Sequence, residues 1–302
     1  MSKLLENPVS LLLMTGFLLG LYLPLGKIAS LNQISPILWA MVVSLGAVVI
    51  LLPILLKQRR LHLPKRHMLR YVLISGLISY VIPNILLFKV MAYVGSGYMG
   101  LMYALSPVFT LGFAVLFAMK TPNMLGIFGI TVGLVGAIVV TLTRSTAPDA
   151  PEFIWIMAAL FVPVSLACGN IYRTLDWPEG ATPDMLAFWS HVASVVFFAI
   201  ILFFKDGSLL LESLNAAPTV TFLQLIVGGL TFPVLFRLQQ KGGPVLLSQI
   251  GYIAAGVGLV AATVFLGEIY PSATWLGAGI IAIGIAISII SQTQTGKQAP
   301  AT

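Results

Sequence analysis

Ten runs of roughly twenty apolar residues, each ended by a charge, a proline or a glycine, fill almost all of this 302-residue chain. A run of that length is what an α-helix needs to cross the hydrocarbon core of a bilayer. Lipid offers a backbone N–H or C=O no water, so a segment that satisfies its own hydrogen bonds is required there. The runs lie near residues 9–29, 36–56, 69–92, 95–118, 123–143, 153–174, 184–204, 219–239, 245–266 and 272–292, named spans one to ten below. The first follows Lys3, as a secretory leader would. It is too long for a leader's apolar core, and span two follows with no small-residue cleavage site between them.

Composition leads to the same class. Hydrophobic residues make up 59% of the chain and charged ones only 8%, against about 25% charged in a soluble domain. Most of the surface must therefore face lipid, and ten spans leave no room for a soluble domain. The lone cysteine, Cys168, excludes an internal disulfide framework. A net charge of +7 would ordinarily raise nucleic acid as a partner. Here the basic residues sit in short loops between apolar runs, where membrane topology accounts for them; no nucleic-acid partner is expected.

Placing the N-terminus in the cytoplasm puts Lys3, Lys57, Arg59, Arg60, Lys65, Arg66, Arg70, Lys120, Arg173, Arg237, Lys241 and Lys297 on that side. Lys27, Lys89, Arg144 and Lys205 fall on the other. Twelve against four is a strong positive-inside bias, so both termini and the 57–70 loop are expected inside and the 144–152 loop outside.

The two halves repeat. A shift of 148 residues lays Leu87-Phe88-Lys89 on Leu235-Phe236-Arg237, Gly95 on Gly243, Phe117 on Phe265, Gly129 on Gly277 and Gly136 on Gly284. A shift of 146 lays Lys27 on Arg173. Each half holds five spans, an odd number, so the copies must lie upside down relative to one another. The expected fold is an all-α membrane protein of ten transmembrane helices in two inverted five-helix repeats, residues 1–147 and 148–292, with 293–302 as a disordered tail. Inverted repeats are a mark of alternating-access carriers, whose substrate lies near mid-membrane at the repeat interface, beside broken helices.

Several motifs resemble the drug/metabolite transporter superfamily, in particular its EamA-like ten-helix members. Span one carries Gly20-Leu21-Tyr22-Leu23-Pro24-Leu25-Gly26-Lys27, similar to the family's W-G-x-x-F-x-x-x-K without its Trp. Pro36 and Trp39 open span two, and Ala104-Leu105-Ser106-Pro107-Val108-Phe109 in span four is similar to A-L-x-P-V-F. Leu266-Gly267-Glu268 matches the family's L-G-E, followed by Trp275-Leu276-Gly277. Three departures mark a divergent subgroup. Met41-Val42-Val43-Ser44 stands where an Arg is frequent, Ala118-Met119-Lys120 replaces the first L-G-E, and Ala255 is the counterpart of Pro107. The resemblance implies that spans four and nine are central, and that the cargo is a small metabolite or an amino acid for export.

Polar residues in hydrocarbon usually face a neighbouring helix or a wet cavity, and prolines inside spans free carbonyls and permit bends. Tyr80 and Asn84 in span three, Tyr103, Ser106 and Thr110 in span four, His191 in span seven, and Gln249 and Tyr252 in span nine are the expected cavity residues. Tyr103, Ser106 and Thr110 share one helical face by spacing. Pro24, Pro83, Pro107, Pro163 and Pro233 are the expected helix breaks. The competing reading makes Asn84 and His191 polar glue between helices. Lys89 and Arg237, matched by the repeat, are headgroup anchors or gates, with anchoring the default. The pairs Gly16/Gly20 and Gly129/Gly133 permit close helix contact; the Gly-rich spans five and ten are expected at the periphery, where they offer a face for a homodimer.

None of the nine acidic residues falls deep in a span, whereas ion-driven carriers usually hold a carboxylate there. That favours a facilitator or exchanger, with His191 the alternative proton site. The central path is expected to contain no charge, which argues against a multiply charged cargo and leaves zwitterionic amino acids, uncharged metabolites and amphiphilic drugs. An intramembrane enzyme would need a nucleophile, an acid–base pair or a metal cluster. The chain has no H-E-x-x-H, no G-x-S-x-G and no motif for a cofactor or metal. A passive channel remains the main alternative.

Overall fold

The computed structural model describes residues 6–119, 123–145 and 152–298, and these are helical with no β-strand among them. Span one is Pro8–Leu31, begun by the Asn7 side chain accepting from the Val9 N–H at 2.8 Å. Span two is Pro36–Lys57, span three Arg66–Val94 and span four Ser96–Leu116. Span five is Met124–Ser145, span six Phe153–Leu175 and span seven Pro183–Asp206. Helix Pro218–Ser248 provides span eight and, past a kink at Gly243, the start of span nine, which continues as Ile250–Leu266. Span ten is Ser272–Gln298. The helix therefore runs past 292 into the stretch expected as a tail, and residues 299–302 lie outside the described residues. So do Lys3, Lys120 and most of the 144–152 loop.

The repeat is visible in the backbone. Gly95, between spans three and four, has φ 88° and ψ 161°; its partner Gly243, between spans eight and nine, has φ 69° and ψ −177°. That region is almost closed to residues with a Cβ, so each elbow requires glycine. Two positions 148 apart thus turn the chain in the same way, in the two halves.

Span one packs on spans eight and nine, span two on spans seven and eight, span four on span nine, and span five on span ten. The glycine pairs serve these contacts. Gly16 and Gly20 lie against Ile253 and Val257 of span nine. In the five–ten contact a Cβ on Gly284 would stand 2.6 Å from the Gly133 nitrogen and 2.7 Å from the Gly129 carbonyl oxygen. The Gly129/Gly133 spacing is therefore used within one chain, holding two peripheral helices backbone to backbone.

The helix breaks are fewer than the prolines. In span three a π turn, Gly76–Val81, precedes Pro83, with the Ile82 N–H donating to the Leu77 carbonyl five residues back. In span four the chain tightens at Ala104 and Leu105, whose N–H groups donate three residues back, just before Pro107. Pro24, Pro163 and Pro233, expected as breaks, instead sit inside continuous helices. A proline removes only one ladder hydrogen bond, and a long packed helix can absorb that as a bend. The interruption expected at Pro233 falls at Gly243.

Candidate translocation cavity

Spans one, three, four, six, eight and nine enclose a central cavity of about 50 Å³. Its volume accommodates a few waters, well below the roughly 300–1,000 Å³ of a drug-sized pocket. Of the eight residues expected to line it, Tyr80, Asn84, Tyr103 and Ser106 do so. The π turn in span three presents Ser79 and Tyr80, and Asn84 follows one turn on. The break at Ala104–Leu105 sets Tyr103 and Ser106 on the opposite wall. The buried Tyr80 and Ser79 hydroxyls have no hydrogen-bond partner.

The other four lie elsewhere. Thr110 is fully buried one turn beyond Ser106, its hydroxyl unpartnered. Gln249 is fully buried, and neither end of its amide has a partner, although Ser248, Ile250 and Gly251 around it do line the cavity. His191 sits behind Tyr80, with ring centres 4.2 Å apart, and 3.7 Å from the Phe232 ring. Its Nδ1 is 3.1 Å from the Ser44 hydroxyl and its Nε2 is unpartnered. Tyr252 points away, donating to the Ile130 carbonyl at 3.1 Å and packing on Gly133, so it ties span nine to span five.

A residue counted with the membrane-edge charges proves central. Arg173 is only 3% exposed and forms part of the cavity wall. Its Nε donates to Gln239 Oε1 at 2.7 Å and its Nη2 to Asn170 Oδ1 at 2.8 Å. Gln239 is braced in turn, donating to the Asn170 carbonyl and the Thr174 hydroxyl, each at 3.0 Å. The guanidinium carbon stands 5.4 Å from the Tyr80 ring centre and 5.9 Å from that of Phe236. The path is thus not free of charge, as the sequence had implied. Asn170, a polar residue within span six, also lines it, and Ser79, Tyr22 and Ser248 do so unforeseen. Asn170-x-x-Arg173, two polar side chains one helical turn apart, was the available signal.

Polar contacts close the bundle at both ends. At one end Asp176 pairs with Arg70 and accepts from the Tyr172 hydroxyl, while Asp184 takes both bonds from Arg237, at 2.8 and 2.9 Å. Arg237 is therefore held by a carboxylate, whereas its repeat mate Lys89 is exposed. At the other end Glu268 of the L-G-E accepts from Ser96 at 2.7 Å and from Tyr270. Each set joins separate elements of the bundle.

The chain matches the EamA-like transporter family twice, over residues 7–142 and again over 153–290. It belongs to that family. The two matches coincide with the two five-span halves. The inner membrane transporter YedA of Escherichia coli K12, described as uncharacterized, is 26% identical over 286 residues, covering 92% of this chain and 90% of YedA. YedA of strain O157:H7 matches to the same extent. A solved crystal structure of a protein superposes with a TM-score of 0.65 at 16% identity, covering 94% of this chain and 98% of the other. The chain is an integral membrane transporter of the drug/metabolite type.

Proposed function

We propose that the chain moves a small uncharged or zwitterionic metabolite, an amino acid or one of similar size, across a bacterial inner membrane. It works by alternating access, as an exporter or facilitated exchanger, with both termini in the cytoplasm. The observation that carries this reading is one cavity contributed by both repeats, its largely apolar wall set with a few polar side chains, beside the π turn of span three and the break in span four. Inverted-repeat carriers hold substrate in such a place. Tyr80, Asn84, Tyr103 and Ser106 are its contacts. Gln249 and Thr110, buried next to it with unmet hydrogen bonds, enter the wall as spans nine and four shift. His191 positions Tyr80 from behind.

The small volume and the carboxylate-centred contacts at both ends support a carrier over a channel, since an open pore would need neither. Counterflow in liposomes holding purified protein tests this, with amino acids first and other small metabolites next. Saturable exchange that accelerates with substrate on the far side is expected. Flux that rises linearly with concentration and shows no exchange would replace the carrier with a channel.

A further inference from the structure

Among the described residues the cavity wall holds one charged side chain, Arg173, and no carboxylate pairs with it. Arg173 is 3% exposed, yet no carboxylate lies within ion-pair distance among the described residues. The nearby acids are engaged elsewhere, Asp176 by Arg70 and Tyr172, and Asp184 by Arg237. A buried charge without a counter-charge is strongly unfavourable. Neutral groups soften that here: two amide oxygens and two aromatic faces take up part of the field without cancelling it. They also fix the guanidinium plane, because Gln239 is itself braced from two sides. Arg173 Nη1 makes no hydrogen bond among the described residues.

We propose that Arg173 is the anchor for a carboxylate on the transported molecule. This rests on the carrier reading above and narrows it, removing the uncharged cargo. The fork of a guanidinium matches the two oxygens of a carboxylate. The unpartnered hydroxyls of Ser79 and Tyr80 in the same wall supply further donors. One cation suits a monoanionic group; a phosphate ester carries about −1.5 to −2 at neutral pH and would leave charge unmatched among these residues. The Tyr22, Phe232 and leucine side chains of the wall suit a small carbon body.

The test compares acids with their amides: alanine with alaninamide, leucine with leucinamide, lactate with lactamide, and inorganic phosphate beside them. Detergent-purified protein is melted with each, and counterflow is measured in liposomes. At least one acid should raise the melting temperature saturably, its amide should bind at least about 10-fold more weakly, and phosphate should do nothing. Arg173→Gln should weaken acid binding roughly 10- to 100-fold, and Arg173→Lys should weaken it less. Arg173→Met removes the charge but leaves the Gln239 and Asn170 oxygens without their donor, so it is read by ligand preference rather than by its melting temperature alone: it should lose the preference for acid over amide. An Arg173→Met protein that kept that preference would overturn the proposal. So would equal binding of acid and amide, a panel in which no acid binds, phosphate binding in place of the acids, or unaltered acid binding by Arg173→Gln. Exchange of amides but not acids would sink the anchor and leave the carrier standing. An acid that binds through Arg173 but never crosses would leave the anchor and remove the carrier.

Discussion

Replacing Gln249 by Leu should make the protein more stable and a poorer transporter. The Gln249 side chain is fully buried, and neither its oxygen nor its nitrogen has a partner. A buried amide with its hydrogen bonds unmet costs about 1–3 kcal/mol relative to a satisfied one. Leucine is similar in size and has nothing to satisfy, so a gain of about 1–3 kcal/mol is expected, read as a higher melting temperature in detergent. A chain keeps such a group where function needs it. The amide lies between Ser248 and Ile250, both in the cavity wall, and a modest rotation of span nine would present it to a substrate. Losing one substrate hydrogen bond weakens the complex by about 1 kcal/mol, or up to about 3 with a charged partner. The half-saturation concentration should then rise roughly 5- to 100-fold, at tenfold per 1.4 kcal/mol. Both quantities are to be measured on one preparation, with counterflow normalised to protein in the liposomes. Normal transport by a stabilised Gln249→Leu would show that the amide never meets substrate. A lower melting temperature would show that it has a structural partner, such as a bound water, and would refute the reasoning at its first step.

Asn84→Ala should raise the half-saturation concentration by the same roughly 5- to 100-fold with little change in stability, since this side chain makes no hydrogen bond among the described residues; unaltered kinetics at matched abundance would remove it from the site. Gly284→Leu should reduce stability and membrane abundance sharply, because even its Cβ would stand 2.6 Å from the Gly133 nitrogen; Gly256→Ala, with open space around it, is the control that should melt like wild type. In a Cys168→Ser background, a thiol reagent applied to intact cells should label Ser208→Cys and spare His62→Cys; the reverse would invert the topology. No acidic residue lines the cavity, so an imposed pH gradient should not drive uphill accumulation. Accumulation abolished by His191→Gln would make His191 the coupling site instead.

What could be read from the sequence divides along physical lines. Span length is set by bilayer thickness, so the ten runs fell close to their helices without any knowledge of packing. The 148-residue offset brought Gly95 onto Gly243 because a positive φ joined to an extended ψ admits almost no other residue, and that requirement survives when the surrounding side chains drift. Helix rotation was harder to read. In water an apolar face marks the core, but here lipid and core are equally apolar, and the stripe that would orient a helix is missing. Tyr103 and Tyr252 are both mid-span tyrosines in central helices, yet one faces the cavity and the other binds the Ile130 carbonyl on the far side. His191 likewise lies behind Tyr80 rather than beside it.

Arg173 was misplaced for a related reason. An arginine near the end of an apolar run is ordinarily a topological charge that snorkels to the headgroups, and nothing along span six marks how far inside the edge it lies. The signals were distributed: Asn170 one turn earlier, Gln239 at the end of span eight, and the nearby acids Asp176 and Asp184 paired with other cations. Together these amide groups hold the guanidinium without neutralising it. An aspartate at position 170 would have accepted the same hydrogen bond from Arg173 and cancelled the charge. If the anchor reading is correct, Asn170→Asp should therefore fold and melt at least as well as wild type while losing carboxylate binding, because the site would carry its own counter-ion. A variant that gains the acid and still binds carboxylates at wild-type affinity would show that the uncompensated charge at Arg173 is not what recognises the cargo.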